Sequence, residues 1–134
     1  MDHKPGFLKL VRQAKKNIKE SSVFKVKKKL ERGERFYFID VREDHEFQNR
    51  SAKGALHLGR GIIERDIEEL VPDKKCEIIL YCGGGYRSAL AALNLKKMGY
   101  QKVFSMAGGI KAWLKADYPI QTEKRIPVGN KKVR

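Results

Sequence analysis

Cysteine is nearly absent from this 134-residue chain, which has only Cys76 and Cys82, so a disulfide scaffold is excluded. Proline is scarce at four, and no apolar run approaches the roughly 20 residues of a membrane span. The opening stretch, MDHKPGFLKLVRQAKK, lacks the apolar core and small-residue cleavage site of a secretory leader. Acidic residues are outnumbered, 16 against 30 Lys and Arg, for a formal charge of +14. What is present is a soluble globular composition, 41% apolar and 34% charged, which argues against disorder along the whole chain. The expectation is a monomer in a reducing compartment, most simply cytoplasmic, with no membrane association.

The basic excess sits at the two ends. Residues 1–36 carry 12 basic and 4 acidic groups, residues 37–120 carry 13 and 11, and residues 121–134 carry 5 and 1. No recognition motif accompanies this charge, and residues 123–134 contain no aromatic side chain on which a base could stack. A solvated Lys-rich surface is the simpler reading, and the basic termini leave nucleic-acid binding as a minor alternative. Three stretches are expected: a basic helical extension over 1–19, a folded domain over 20–120 and a flexible basic tail over 121–134.

Phe7, Leu8, Leu10, Val11, Ala14 and Ile18 recur at helical spacing and predict a first amphipathic helix. Ser22 offers an N-cap to a second helix that Gly33 closes. Phe36–Asp40 and Glu77–Tyr81 read as buried strands, Ala55–Leu58 as a weaker one, and Lys102–Met106 as a fourth. Helices are expected over 62–70, over 88–98 and around Trp113, which should pack the last of them onto the sheet. Strands alternating with helices imply parallel pairing, hence an α/β layer fold.

The most informative segment is Tyr81-Cys82-Gly83-Gly84-Gly85-Tyr86-Arg87-Ser88, between the clearest strand and the Ala/Leu-rich helix. Ligands of open α/β sheets bind at that edge. Successive glycines let several N–H groups converge into an anion nest, and the helix start adds its dipole and free donors. With Arg87 beside it, Cys82 is expected to favour thiolate over thiol, a nucleophile without a His or Asp base. A dinucleotide fingerprint fails because its third glycine position holds Ser88, and no Lys follows the glycines as a nucleotide phosphate loop requires. Cys76 lies at the other end of the same strand, roughly 18–20 Å away at strand rise, too far to resolve a disulfide with Cys82. No metal-ligand spacing exists among His3, His45 and His57, and no cofactor is expected.

Cys82 to Arg87 resembles the active-site loop of rhodanese-like sulfurtransferases, a six-residue cradle that begins with Cys and ends with Arg. Ile39-Asp40-Val41-Arg42-Glu43, with Glu46-Phe47 behind it, resembles the family's early aspartate–arginine motif. Gly108-Gly109-Ile110-Lys111-Ala112-Trp113 resembles its closing signature. The similarity runs from about residue 20 to residue 120. One stretch departs from it: Arg50-Ser51-Ala52-Lys53-Gly54-Ala55 keeps only the last Gly and Ala of the family's turn.

The resemblance implies a mostly parallel five-stranded sheet with helices on both faces. It implies that Cys82 takes a sulfane sulfur from a small anionic donor such as thiosulfate and passes it to a thiophilic acceptor. The backbone of Gly83, Gly84, Gly85, Tyr86, Arg87 and Ser88 would hold the anionic sulfur. Arg87 would either take part in this or hold the loop in shape, and Tyr86 is expected at solvent or over the pocket mouth. Arg60 is expected to guide the donor, Asp40 and Arg42 to form a supporting ion pair, and His57 to serve the scaffold. Two alternatives stay open: a Cys-dependent phosphatase, whose related loop is one residue longer, and a non-catalytic binding module.

Overall fold

Alternation of side chains along the central strands sets the layers. The computed structural model describes residues 3–122. The chain runs α1 (Pro5–Lys15), β1 (Lys19–Ser21), α2 (Val23–Glu31), β2 (Tyr37–Asp40), α3 (Asp44–Asn49), β3 (Ser51–Ala52) and β4 (Leu56–His57). It continues through α4 (Ile63–Leu70), β5 (Glu77–Tyr81), α5 (Tyr86–Lys97), β6 (Lys102–Met106), α6 (Gly109–Lys115) and β7 (Ile120–Gln121).

Five strands form one sheet in the order β1-β6-β5-β2-β4, and every pairing in it is parallel. Because successive residues of a strand face opposite ways, Ile78 and Leu80 of β5 enter one core and Ile79 and Tyr81 the other. The first core adds Ile39 and Val41 to Ile63 and Ile67 of α4 and to Ala91, Ala92 and Leu95 of α5. The second packs Phe38 against Val26 of α2, Phe47 of α3 and Trp113 of α6. The fold is therefore the α/β arrangement expected, with helices on both faces. Trp113 is fully buried, its ring 5.8 Å from that of Phe38, and it pins α6 to the sheet.

Helix α1 packs on α5. Its Val11 and Ala14 pack on Ala89 and Leu90 of α5, with Phe7 and Tyr86 at the margin of the contact. The capping at Ser22 is as expected: its Oγ accepts from the Lys25 N–H at 3.1 Å.

Four elements go beyond the sequence reading: β1, α3 and the antiparallel pair β3–β7. Gln121, expected in a loose tail, is paired with Ser51 in that small sheet. The rest of that expected tail, from residue 123, lies outside the described residues. Helix α5 starts at Tyr86 rather than Ser88, because Gly85 at φ 97° supplies the left-handed turn that launches it. Among the described residues, no helix is long and apolar enough to cross a membrane.

Candidate functional site

Cys82 follows the last residue of β5, at the C-terminal edge of the sheet, and its side chain is buried at 1% exposure. Two backbone N–H donors and one hydroxyl converge on its sulfur. The Gly85 N–H lies 3.2 Å from Sγ, the Ser88 N–H 3.3 Å and the Ser88 hydroxyl oxygen 3.4 Å. Ser88 sits in the first turn of α5, where backbone N–H groups have no helical partner, so the start of the helix spends those donors on the sulfur. Such a convergence stabilises negative charge on sulfur.

The carbonyls of the loop face the other way because α6 takes them. Cys82 O accepts from the Ile110 N–H at 2.9 Å, and Gly83 O from the Lys111 N–H at 3.1 Å. This close approach demands glycine at 109: a Cβ there would collide with Cys82 O and Gly83 O, and the residue has φ 56°. The closing Gly-Gly motif thus acts from beneath the loop, turning its carbonyls down and its N–H groups toward the sulfur.

Arg87 is engaged by a carboxylate. Its Nη1 donates to Glu46 Oε1 at 3.1 Å, and the same oxygen accepts the Glu43 N–H at 2.9 Å. Burial opposes ionisation of Glu46, but the Arg87 and Glu43 hydrogen bonds outweigh it and hold its carboxyl below the ordinary value. Arg87 also stays near Gly83, whose Cβ position would lie 3.2 Å from Nη2.

Asp40 and Arg42 form the buried ion pair expected of them. Arg42 Nη2 reaches Asp40 Oδ2 at 2.9 Å, and Arg42 Nε lies 3.1 Å from both carboxylate oxygens. Arg42 Nη2 also donates to Arg50 O at 2.6 Å, which ties the end of β2 to the end of α3. Next to this pair, burial above all, together with the Asp40 charge, pushes the Tyr81 hydroxyl far above its ordinary range. It stays protonated and accepts the Ala52 N–H at 2.9 Å. His57 is a scaffold residue: Nε2 is 2.7 Å from Arg42 O, and its ring stacks on Phe47 at 4.9 Å.

The remaining expectations divide. Arg60 lies on the same sheet edge, its N–H bonded to Val41 O at 3.0 Å, and its buried Nε has no hydrogen-bond partner among the described residues. Gly84 is exposed, with no atom within 4 Å of its Cβ position. Tyr86 is half-buried and packs against α1, since the loop ends in a helical turn that faces that helix. Cys76 is half-buried beside the first core, at the far end of β5, and both cysteines are free. Among the described residues, no three His, Cys, Asp or Glu side chains gather to hold a metal.

The sequence reading missed Ser105. Its Oγ on β6 lies 2.8 Å from Ser88 Oγ, with both residues fully buried, so it stands behind the hydroxyl that meets the sulfur. A serine at an inward-facing strand position was the available signal.

Residues 22–116 match the family model described as the rhodanese-like domain. The chain is 33% identical over 97 residues to the "Putative sulfur carrier protein YrkF" of Bacillus subtilis, covering 72% of this chain and 51% of that protein. The chain thus spans about half the length of that relative. It is 38% identical over 84 residues to the thiosulfate sulfurtransferase GlpE of Haemophilus influenzae, covering 63% of this chain and 78% of the other. A solved structure from Rhodopseudomonas palustris, of a protein of unknown function described as a possible tyrosine phosphatase, superposes with a TM-score of 0.80 at 25% identity. It covers 90% of this chain and 98% of its own.

Proposed function

The chain belongs to the rhodanese-like family, and from that premise we propose that it is a sulfurtransferase working through a persulfide on Cys82. The observation that carries the reading is the convergence of two backbone N–H donors and the Ser88 hydroxyl within 3.4 Å of the buried Cys82 sulfur. The unit proposed to do this is the stretch from 20 to 120, with residues 1–19 as an extension.

The Cys82 thiolate attacks the outer sulfur of thiosulfate, the sulfur–sulfur bond breaks, and sulfite leaves with the electron pair. The enzyme then carries a persulfide whose terminal sulfur bears the charge. Backbone N–H groups from Gly83 to Ser88 stabilise that charge in both states. A thiophilic acceptor such as cyanide, or a thiolate, attacks the terminal sulfur and releases the Cys82 thiolate. No base is needed, because no proton is taken from carbon. Arg60, on the same edge with an unpaired Nε, is suited to steer the dianionic donor. Arg87, engaged with Glu46, serves chiefly to hold the loop.

The phosphatase reading draws on the similarity to the R. palustris protein. A cradle of six residues, with Arg87 five positions after Cys82, suits one sulfur atom better than a tetrahedral phosphate.

Intact-mass measurement after thiosulfate treatment tests the proposal. Wild type and Cys76→Ser should gain one sulfur atom and transfer it to cyanide; Cys82→Ser should do neither while remaining folded. Equal loss in both cysteine variants, or aryl phosphatase activity that disappears with Cys82→Ser, would overturn it.

A further inference from the structure

Three of the six cradle residues are glycines and offer no side chain by which the loop can be held. The two N–H groups on the sulfur belong to Gly85 and Ser88, and the only residues between them are Tyr86 and Arg87. These two side chains are the handles of the donor array. Arg87 is taken by Glu46 of α3, from one side. Tyr86 is taken from the other side by the N-terminal segment. The His3 ring lies 4.7 Å from the Tyr86 ring and the Phe7 ring 6.2 Å, with His3 and Phe7 themselves 5.1 Å apart. The Lys15 Nζ stands 5.2 Å over the same ring. Aromatic edges and a cation around one ring form a directional contact, as offset ring pairs and cation–π pairs do. All three gripping residues precede residue 22, where the family match begins.

We propose that His3, Phe7 and Lys15 are positioning residues of the sulfur cradle: they grip Tyr86 and thereby keep the Gly85 and Ser88 N–H groups aimed at Cys82. Val11 and Ala14, packed on Ala89 and Leu90, anchor α1 so that the grip is rigid. Displacing donors by even about 1 Å can cost on the order of a hundredfold in rate, so a loop held at Cys82 O and Gly83 O by α6 and at Arg87 by Glu46 gains from a further clamp at Tyr86. The extension is thus part of the site, acting through Tyr86 without touching the reacting sulfur.

Amide hydrogen exchange read residue by residue on the full chain tests this, with the β5 amides of Ile78 to Leu80 as internal reference. In Phe7→Ala and Tyr86→Ala, exchange at Gly85 and Ser88 should quicken by about tenfold while the β5 reference holds. Sulfur transfer should fall severalfold in kcat with KM for thiosulfate unchanged. Tyr86→Phe keeps the ring and should restore the slow exchange at Gly85 and Ser88 that Tyr86→Ala loses. Should Phe7→Ala disturb the β5 reference, the exposed His3→Ala replaces it and should show the same local change in smaller measure. Unchanged exchange at Gly85 and Ser88 in these variants would overturn the proposal, as would a Tyr86→Phe chain indistinguishable from Tyr86→Ala. The kinetic arm alone rests on the sulfurtransferase reading: if wild type takes up no sulfur, that reading falls and the exchange data still decide the grip.

Discussion

Arg87 and Glu46 meet at 3.1 Å across the gap between α5 and α3, joining the last residue of the cradle to the helix that follows β2. The carboxylate oxygen that receives Arg87 also receives the Glu43 N–H, so the start of α3 and the cradle share one acceptor. The arginine that ends the loop is therefore already charge-matched by the protein. The bond is charge-assisted as long as Glu46 remains ionised.

A pH dependence follows. Glu46 is held below its ordinary carboxyl value of 4.5, against burial, by Arg87 and Glu43. A carboxyl depressed in the folded state stabilises the fold fully above its unfolded value and loses that contribution as pH falls through the folded value. Glu46→Gln should cost at most about 1 kcal/mol near neutrality, since both side chains of the pair are about one third exposed and partly screened. Urea denaturation at a series of pH values would show the gap between wild type and variant closing below the ordinary carboxyl range. A gap that stayed constant down to strong acid would contradict the assignment.

The Asp40–Arg42 pair behaves differently because it is buried. Asp40→Ala leaves the Arg42 guanidinium without its carboxylate and should destabilise the fold by about 3–5 kcal/mol. Replacing both residues by apolar ones of similar volume, Asp40→Leu with Arg42→Met, should recover much of that loss. Denaturant midpoints of the single and double variants measure it. A double variant as unstable as Asp40→Ala would show that Arg42 matters chiefly through its bond to Arg50 O.

The cradle was legible because three glycines between a strand and a helix have few other uses, and the strands β2, β5 and β6 because their apolar runs are unambiguous. Strand β1 was not, since Lys19-Glu20-Ser21 is a polar edge strand whose pairing with β6 spans most of the chain. Helix α3 has one buried residue, Phe47, and no apolar period to betray it; its sign was the Glu43–Glu46 pair at its start. Strands β3 and β7 are two residues each and exist only because Ile120 and Gln121 return to Ala52 and Ser51. The contacts of Tyr86 were hidden for the same reason: they are set by tertiary contact with α1, which no local pattern reports.

Two glycines of the site should differ sharply on substitution. Gly109→Ala introduces a Cβ against the Cys82 and Gly83 carbonyl oxygens at a left-handed φ of 56°. It should destabilise by about 2 kcal/mol or more and largely abolish sulfur transfer, because the loop must lift off α6. Gly84→Ala meets nothing within 4 Å and has no left-handed φ, so stability and transfer should stay close to wild type. Thermal melts and a thiosulfate–cyanide assay separate them. Equal damage from both would mean that the loop moves in the reaction in a way that its resting shape does not suggest.

The serine pair behind the sulfur gives the most discriminating case, because stability and activity should part company. Ser88 Oγ has one proton and stands between Cys82 Sγ at 3.4 Å and Ser105 Oγ at 2.8 Å. Whenever the sulfur carries negative charge, as in the proposed persulfide, it can only accept, so Ser88 then donates to it and accepts from Ser105. Ser88→Ala removes a charge-assisted donor, worth about 1.5–3 kcal/mol, and should slow sulfur transfer by roughly tenfold to a hundredfold. It also strands the buried Ser105 hydroxyl, at a stability cost of about 1–3 kcal/mol. Ser105→Ala leaves Ser88 free to donate, so transfer should drop by no more than about threefold. The double variant removes both partners and should regain stability relative to Ser88→Ala while its transfer rate stays as low. Activity then follows Ser88 alone and stability follows the completeness of the pair. A Ser105→Ala chain as slow as Ser88→Ala would reverse the order of the relay and make Ser105 essential to the hydroxyl that meets the sulfur.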